Sequence, residues 1–459
     1  MAGKGRRMSY AEFLARKART TQPAGVDIDL DAVNPILHDW QARIVQWACH
    51  KGRAALFEDC GLGKTFQQLE WARLMGDTTL ILAPLSVARQ TVREAGKLGI
   101  DARYVRSGQA VDGPGIYVTN YEMVGHFDPT MFGAVVLDES SILKNADGKL
   151  RRSLTDLLAV VPHRLAATAT PAPNDVAELC NHAEFLGRMP RNEMLAAYFV
   201  HDDVGWRIKG HAVGPMHEWM AQWAVAARRP SDVGGKDTGY VLPLLSVIPE
   251  LVDVDIVPDG QLFATDLGGI GGRAAVRRET MDARIERCAT LATDGQWIVW
   301  CGLNDEASKV TKLIDGAVNV EGSWTPEAKA EALEAFQDGQ VRVLVTKPSI
   351  AGFGMNFQQC HQMAFLGLGD SYESYYQAIR RCYRFGQTEP VNVHVIVSQL
   401  EQQIVENVAR KEHEASLTTT ELIRYSELRR HDGIDSAGEH GSAVRGGRSV
   451  RRIMAAAAR

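Results

Sequence analysis

The run RAALFEDCGLGKT, residues 53–65, predicts a strand, a glycine-rich loop and the start of a helix, in that order. Glycines let the backbone turn so tightly that successive N–H groups point at phosphate oxygens, and a helix start adds partial positive charge. Lys64 is then placed to reach the β- and γ-phosphates of a nucleotide, and Thr65 to offer its hydroxyl to Mg²⁺. The alternative is a Gly-Lys-Thr that falls in a turn by chance.

Short apolar runs alternate with helical sequence on both sides of this loop. Runs of this kind are typical of strands buried on both faces, and the alternation predicts an α/β protein with a parallel sheet covered by helices. The rhythm stops near residue 201 and resumes near residue 281, so two such lobes are expected. The predicted strands are RAALF (53–57), LILA (80–83), IYVT (116–119), AVVLD (134–138), RLAATAT (164–170), WIVWC (297–301), VRVLVT (341–346), MAFLGL (363–368) and VNVHVIV (391–397).

The predicted organisation has five parts. They are a basic N-terminal extension (1–32), a first lobe (33–200), a helical connector and loop (201–280), a second lobe (281–412) and a C-terminal helix with a disordered basic tail (413–459). Trp219 and Trp223, spaced i, i+4 in the connector, are expected to pack in a core rather than to form a platform for base stacking.

Composition limits the possible partners. The net charge of −5 over 459 residues means that any nucleic-acid contact comes from local basic surface. The basic stretches at the two ends offer such surface, although solvated, frayed termini are the alternative. Seven dispersed cysteines without a CxxC pair argue against a disulfide framework and against structural zinc. Without a long apolar segment or a secretory signal, no membrane partner and a cytoplasmic location are expected.

Asp138 and Glu139 close the AVVLD strand. At the carboxyl end of a strand in this architecture, Asp138 is expected to position Mg²⁺, and Glu139 to polarise the attacking water as a general base. An Asp-Glu that caps a following helix is the alternative.

Two arginines, Arg381 and Arg384, lie three residues apart in QAIRRCYRFGQ (377–387). That spacing predicts that both lie on one face of a helix. Phosphoryl transfer needs positive charge beyond a lysine and a metal ion, and arginine fingers supply it. A surface helix with solvated arginines is the alternative.

Residues 37–411 resemble helicase superfamily two, in its Swi/Snf-related branch, and within it the compact helicase-like proteins often encoded by phages. The motifs that carry the resemblance are LHDWQ (37–41), DCGLGKT (59–65), APLSV (83–87), TNYEM (119–123), LDESSILKN (137–145), TATPAPNDVAEL (168–179), AGFGMNF (351–357) and QAIRRCYRFGQ (377–387). The resemblance implies two RecA-like lobes joined by the helical connector. Ser140 and Ser141 stand where many relatives have Ala-His, and the usual Trp-Asn-Pro is missing before the last motif.

The resemblance also assigns roles. The catalytic residues would be Lys64, Asp138, Glu139, Arg381 and Arg384, with Thr65 and Asp138 at the metal. Nucleotide binding would involve Gln41, Gly61, Leu62, Gly63, Lys64, Thr65, Gly354 and Gln377. Coupling of hydrolysis to lobe movement would involve Thr168, Thr170, Gly352 and Asn356. Contacts with the nucleic-acid backbone would involve Ser86, Tyr121, Thr346 and Lys347, for which local turn or cap roles are the alternative.

The implied function is an ATP-dependent DNA translocase or helicase, with ATP and Mg²⁺ as cofactors, that hydrolyses ATP in a cleft between the lobes. Its DNA would be duplex or forked and bound without sequence preference, and the protein would be a monomer in the cytoplasm, or the host-cell cytoplasm if phage-encoded, with a possible replication or recombination partner. Two other functions stay open. One is an RNA-dependent remodelling ATPase, although such enzymes read Asp-Glu-Ala-Asp where this chain has Asp-Glu-Ser-Ser. The other is an ATP-gated DNA tether that recruits a nuclease or replication partner.

Overall fold

The protein consists of two compact units, each built on its own parallel sheet. The computed structural model describes residues 22–145, 148–202, 205–252, 277–351, 356–398, 401–426 and 428. The first unit comprises the described residues up to Lys236 and those from Leu417 onward, and the second comprises those from Asp237 to Ser416.

The first unit has a seven-stranded sheet in the order β3-β4-β2-β5-β6-β1-β9, and every pair of neighbouring strands is parallel. A separate antiparallel hairpin joins β7 to β8. The strands are β1 (Arg53–Glu58), β2 (Thr79–Ala83), β3 (Ala102–Tyr104), β4 (Ile116–Asn120), β5 (Ala134–Asp138), β6 (His163–Ala167), β7 (Phe199–Asp202), β8 (Gly205–Ile208) and β9 (Ala224–Ala227).

Helices cover this sheet, and its central strands β1, β2 and β5 are almost wholly buried, as strands covered on both faces must be. The core continues into the paired rings of Trp219 and Trp223, which confirms their predicted packing role. The helices are α1 (Asp39–Lys51), α2 (Lys64–Leu74), α3 (Leu85–Lys97), α4 (Lys149–Leu157), α5 (Leu179–Phe185), α6 (Arg191–Tyr198) and α7 (Val213–Met220).

The second unit has a six-stranded parallel sheet in the order β10-β15-β14-β11-β13-β12, with an apolar core on each face. Its strands are β10 (Leu245–Val252), β11 (Trp297–Cys301), β12 (Ala317–Asn319), β13 (Val343–Thr346), β14 (Gln362–Leu366) and β15 (Val391–Ser398). Its helices are α8 (Met281–Leu291), α9 (Asn304–Leu313), α10 (Pro326–Gln337), α11 (Pro348–Ala351), α12 (Tyr372–Ile379) and the start of α13 (Gln402–Tyr425).

The last helix, α13, contributes to both cores. Val405 and Val408 pack in the core of the second unit, whereas Leu422 and Ile423 pack in the core of the first. No helix in the described ranges combines the length and the apolar content that a membrane span requires.

The two parallel sheets confirm the predicted fold class. The predicted helical connector and loop at residues 201–280 needs correction in part: its described residues include α7 and the helical residues 277–279, but they also supply β9 to the first sheet and β10 to the second. The remaining domain boundaries stay predictions, and residues 1–21 and 429–459, which include most of the two basic ends, lie outside the described residues.

Candidate active site and the arginine segment

Three neighbouring strands of the first sheet bring the predicted hydrolytic residues together. In the order β5-β6-β1, Asp138 pairs with Ala167, and Ala167 pairs with Leu56. The segments that leave these strands therefore start at one edge of the sheet: the glycine loop after β1, Glu139 after β5 and Thr168 after β6. The carboxyl edge of a parallel sheet is where ligands bind in this architecture.

The glycine loop forms the predicted turn between β1 and α2. Gly61 and Gly63 have φ angles of 90° and 80°, a region that favours glycine. The Lys64 ammonium donates hydrogen bonds to the Glu58 and Asp59 carbonyl oxygens, at 2.8 and 3.1 Å, so it lies over its own loop. Lys64 and Thr65 are the first two residues of α2, so the helix start faces the loop as predicted.

Gln41 connects α1 to the glycine loop. Its Oε1 accepts the N–H of His38 at 2.9 Å, and its Nε2 donates to the Leu62 carbonyl at 2.8 Å. A Cβ atom at position 63 would lie 2.4 Å from that Nε2. This close approach is a second reason for glycine at this position, in addition to its positive φ. Gln41 therefore anchors the loop backbone, and its predicted contact with the nucleotide stays a prediction.

Glu58 stands where the general phosphate-loop pattern has its first glycine. The side chain is fully buried beneath the loop, and its Oε2 accepts a 2.8 Å hydrogen bond from Gln67 Nε2. Burial raises the pKa of Glu58 to about 7, against the opposing effects of the Lys64 charge and the Gln67 hydrogen bond. An acid that ends an apolar strand, followed by a glutamine in the first turn of the next helix, was the available signal.

Asp138 lies against the first turns of α2. Its Oδ1 accepts hydrogen bonds from Gln68 Nε2 at 2.9 Å and from the Glu139 N–H at 3.1 Å. Burial raises the pKa of Asp138, while the Gln68 hydrogen bond and the Lys64 charge lower it. The residue is 6% exposed, so its carboxyl group is largely desolvated beside the loop.

Glu139 has a left-handed backbone, with φ 53° and ψ 53°, and among the described residues it is the only non-glycine with positive φ. Such a conformation costs roughly 1–2 kcal/mol. Its Oε2 accepts a long hydrogen bond of 3.5 Å from the Thr168 hydroxyl, which in turn accepts the Thr170 N–H at 3.1 Å. The structure therefore joins the predicted base to the predicted coupling segment.

The donor set fits Mg²⁺, because a carboxylate and a hydroxyl are the hard oxygen ligands that this ion prefers. The Gln68–Asp138 contact brings the end of β5 to the helix that begins with Lys64 and Thr65. A cation beside Asp138 would also stabilise its ionised form, which burial disfavours. Asp138 and Thr65 are the residues that could hold the ion.

In the second unit the predicted helical face of Arg381 and Arg384 is wrong. Helix α12 ends at Ile379, and both arginines lie in the turns that follow. Tertiary hydrogen bonds hold these turns: the Arg381 carbonyl accepts the N–H of Phe357 at 2.8 Å, and the Cys382 carbonyl accepts a bond from Gln387 Nε2 at 3.3 Å.

Arg381 and Arg384 are each held by a residue from the predicted list. Arg381 Nη2 donates to Gln377 Oε1 at 3.0 Å, and both side chains are buried. Arg384 Nη1 donates to Asn356 Oδ1. Gln377 is therefore a positioning partner of Arg381 here, and its predicted nucleotide contact is not supported by its 1% exposure. Gly352 and Gly354 lie outside the described residues.

Two predicted nucleic-acid contacts do not fit the structure. The Tyr121 hydroxyl is buried and donates to the Asp138 carbonyl at 2.6 Å, and the Thr346 hydroxyl is buried and donates to the Val320 carbonyl at 3.1 Å. Both residues follow or end a strand, where their hydroxyls satisfy nearby backbone groups. Lys347 is partly exposed after β13, and Ser86 lies in α3; their predicted contacts stay predictions.

Comparisons with known proteins give three likenesses. Residues 281–386 match the helicase conserved C-terminal domain. TATA-binding protein-associated factor 172 of Homo sapiens is 26% identical over an alignment of 191 positions, which covers 34% of this chain and 10% of that protein. The Sulfolobus solfataricus SWI2/SNF2 ATPase core, solved in complex with dsDNA, is 17% identical, with coverage of 88% of this chain and 99% of that one and a TM-score of 0.43. The chain thus spans about a tenth of the length of the curated relative.

Proposed function

We propose that this chain belongs to the Swi/Snf-related branch of helicase superfamily two and that it is an ATP-driven motor that moves along DNA. The observation that carries the proposal is the meeting of the glycine loop, Asp138 and Glu139 at one edge of the first sheet, with Gln68 bonded to Asp138.

In the proposed reaction, Lys64 leaves its own loop carbonyls and neutralises charge on the β- and γ-phosphates. Glu139 orients a water molecule and accepts its proton as the water oxygen attacks the γ-phosphorus, while the bond to the bridging oxygen of ADP breaks. Mg²⁺ held by Asp138 and Thr65 would supply further charge stabilisation. Arg381 and Arg384 complete this charge set in the proposal, a role that the family resemblance implies.

In this proposal, Thr168 and Thr170 couple ATP hydrolysis to movement of the lobes. A change at the γ-phosphate would alter the Glu139–Thr168 contact, and the Thr168–Thr170 hydrogen bond would pass that change along the chain after β6. Nucleic acid that favours the same state would then raise the rate of hydrolysis, because linkage between two sites is reciprocal in binding free energy.

The test is a phosphate-release assay with wild-type protein and Glu139→Gln, run without nucleic acid and then with single-stranded DNA, duplex DNA, forked DNA and RNA. We expect DNA to stimulate the wild type many-fold, and the variant to bind ATP but to release almost no phosphate. Stimulation by RNA alone would support a remodelling ATPase instead. ATP-dependent DNA binding with negligible turnover in the wild type would support a tether.

A further inference from the structure

His182 and Ser140 form a buried polar pair behind the proposed hydrolytic residues. A 3.1 Å hydrogen bond joins Ser140 Oγ to His182 Nε2, and both residues are 0% exposed. Burial of a hydroxyl or an imidazole costs free energy unless the group is hydrogen-bonded. The hydrogen bond between Ser140 and His182 therefore offsets part of the desolvation cost of both groups. Ser140 directly follows Glu139 and, with Ser141, stands where many relatives of the resembled family have Ala-His.

The imidazole of His182 also contacts the strand that leads into the glycine loop. Its ring packs edge-on against Phe57, with centroids 5.1 Å apart and planes at 84°. Phe57 immediately precedes Glu58, and Ser140 immediately follows Glu139. The His182 side chain therefore contacts one residue next to the glycine loop's strand and one residue next to the proposed general base. The side chain of the neighbouring Asn181 donates from Nδ2 to the Leu143 carbonyl at 2.8 Å, so α5 also holds the segment that follows Ser140.

Burial lowers the pKa of His182 to about 4. The ring is therefore neutral near pH 7. A neutral, fully buried imidazole suits a positioning role rather than proton exchange with solvent or substrate.

Glu139 needs such support, because its left-handed backbone is not one that glutamate prefers. On one side, Asp138 is fixed by the Tyr121 hydroxyl and by the Glu139 N–H. On the other side, Ser140 is fixed by His182. Helix α5 follows Thr168 and Thr170 in the chain, so the same helix is attached to the coupling segment.

We propose that His182 is a positioning residue that holds Glu139, through Ser140, in the conformation required of the general base. The inference rests on the proposed function, because turnover is one of its two readouts. A positioning role can be distinguished from a packing role. If Ser140 and His182 only satisfied each other's polar groups, apolar residues could replace both without loss of turnover.

The experiment compares His182→Leu, Ser140→Ala, the double variant of both, and His182→Gln, whose amide can replace the ring nitrogen as a hydrogen-bond partner. We measure kcat and KM for ATP, the midpoint of thermal unfolding, and hydrogen exchange of the peptide that spans residues 138–145. Thr91→Val is the matched control, because it also removes a buried hydroxyl from the first unit, one that bonds the Val87 carbonyl in α3.

His182→Leu leaves the Ser140 hydroxyl buried without its partner, so both the unfolding midpoint and kcat should fall. The double variant should regain most of the unfolding midpoint, yet its kcat should stay about ten- to hundredfold low, as expected for a misplaced catalytic group. Its KM should stay within about twofold of wild type. His182→Gln should recover much of kcat, and Thr91→Val should keep it.

Wild-type kcat in the double variant would overturn the positioning role. The exchange readout separates this failure from failure of the proposed function. If wild-type protein hydrolyses no ATP, the motor proposal falls, but faster exchange of residues 138–145 in the double variant still supports positioning. Exchange equal to that of wild type rejects it.

Discussion

At the scale of single residues, Glu58 has the most consequential environment for stability. Its carboxyl group is fully buried and shares one hydrogen bond with Gln67, while Oε1 has no partner among the described residues. The folded protein therefore favours the neutral acid. The fold gains this stability at low pH and loses it as pH rises, because ionisation of a buried acid costs free energy.

We predict that Glu58→Gln removes this pH dependence. Well below the unfolded pKa near 4.5 the acid is neutral in both states, so wild type and variant should be about equally stable there. Between about 4.5 and about 7 the unfolded chain ionises while the folded acid stays neutral, so over this range the wild type should lose about 3 kcal/mol relative to the variant. Urea unfolding at pH 5 and pH 8 measures the difference. Parallel curves for the two proteins would show that Glu58 is not the group that titrates.

At the scale of elements, the start of α9 depends on a buried ionic cluster. Glu306 caps this helix by accepting the Gly302 and Leu303 N–H groups at 3.0 and 2.9 Å. It also pairs with Arg284 at 3.0 Å and Arg277 at 3.1 Å. Arg284 and Glu306 are both 0% exposed, so the pair joins α8 to α9 without help from solvent.

We predict that Glu306→Gln destabilises the second unit by about 3 kcal/mol, because removal of one partner leaves a buried arginine charge uncompensated. Glu401, whose Oε2 lies 3.9 Å from Arg284 Nε, keeps the expected loss at the low end of the usual range. Urea unfolding followed by fluorescence of the second unit's tryptophans, Trp297, Trp300 and Trp324, provides the measurement.

The control for this prediction is Glu414→Gln, which breaks the exposed Arg410–Glu414 pair within α13. Exposed pairs at this spacing contribute less than about 0.5 kcal/mol. If the two substitutions lowered the free energy of unfolding equally, burial would not strengthen the contribution of the Glu306 cluster to stability.

The strands that could be predicted from the sequence are those whose residues are compatible with only one environment. AVVLD and WIVWC coincide with β5 and β11 because β-branched and aromatic residues buried on both faces leave no alternative. Strand β9 was missed because AVAA has little strand preference and follows a helical pattern. Strand β10 was missed because Pro249 argues against a strand, although it is tolerated in a strand that pairs on one side only.

The candidate site divides in the same way. Lys64, Asp138 and Glu139 could be predicted because loop and strand context specify them locally. The partners Gln67, Gln68 and His182 could not, because their roles depend on contacts across 9, 70 and 42 residues of sequence. The turns that hold Arg381 and Arg384 are fixed by hydrogen bonds from Phe357 and Gln387, which no local pattern encodes.

At the scale of the whole molecule, the proposed motor requires each unit to supply groups that the other lacks. We predict that Arg384→Ala reduces DNA-stimulated kcat by about 10³–10⁵-fold, the range expected for loss of an arginine finger. Affinity for ATP should stay within a few-fold, because the phosphate loop is untouched. Steady-state hydrolysis and nucleotide titration measure the two quantities separately.

Arg380→Ala is the matched control for Arg384→Ala. It removes the same charge from the same segment, but its guanidinium stacks over the rings of Tyr376 and Tyr383, at 5.1 and 5.3 Å. Its kcat should stay close to that of wild type. Normal turnover in Arg384→Ala, or an equal loss in both variants, would contradict the finger assignment.

The packing of Leu422 and Ile423 in the core of the first unit has a consequence for biosynthesis. A ribosome makes residues 22–236 long before it makes those two side chains, so the first unit must wait through translation of the second with part of its apolar interior uncovered. Chaperones that shield nascent chains would be needed most during that interval, and ribosome-bound intermediates should be open to protease until the end of α13 has emerged.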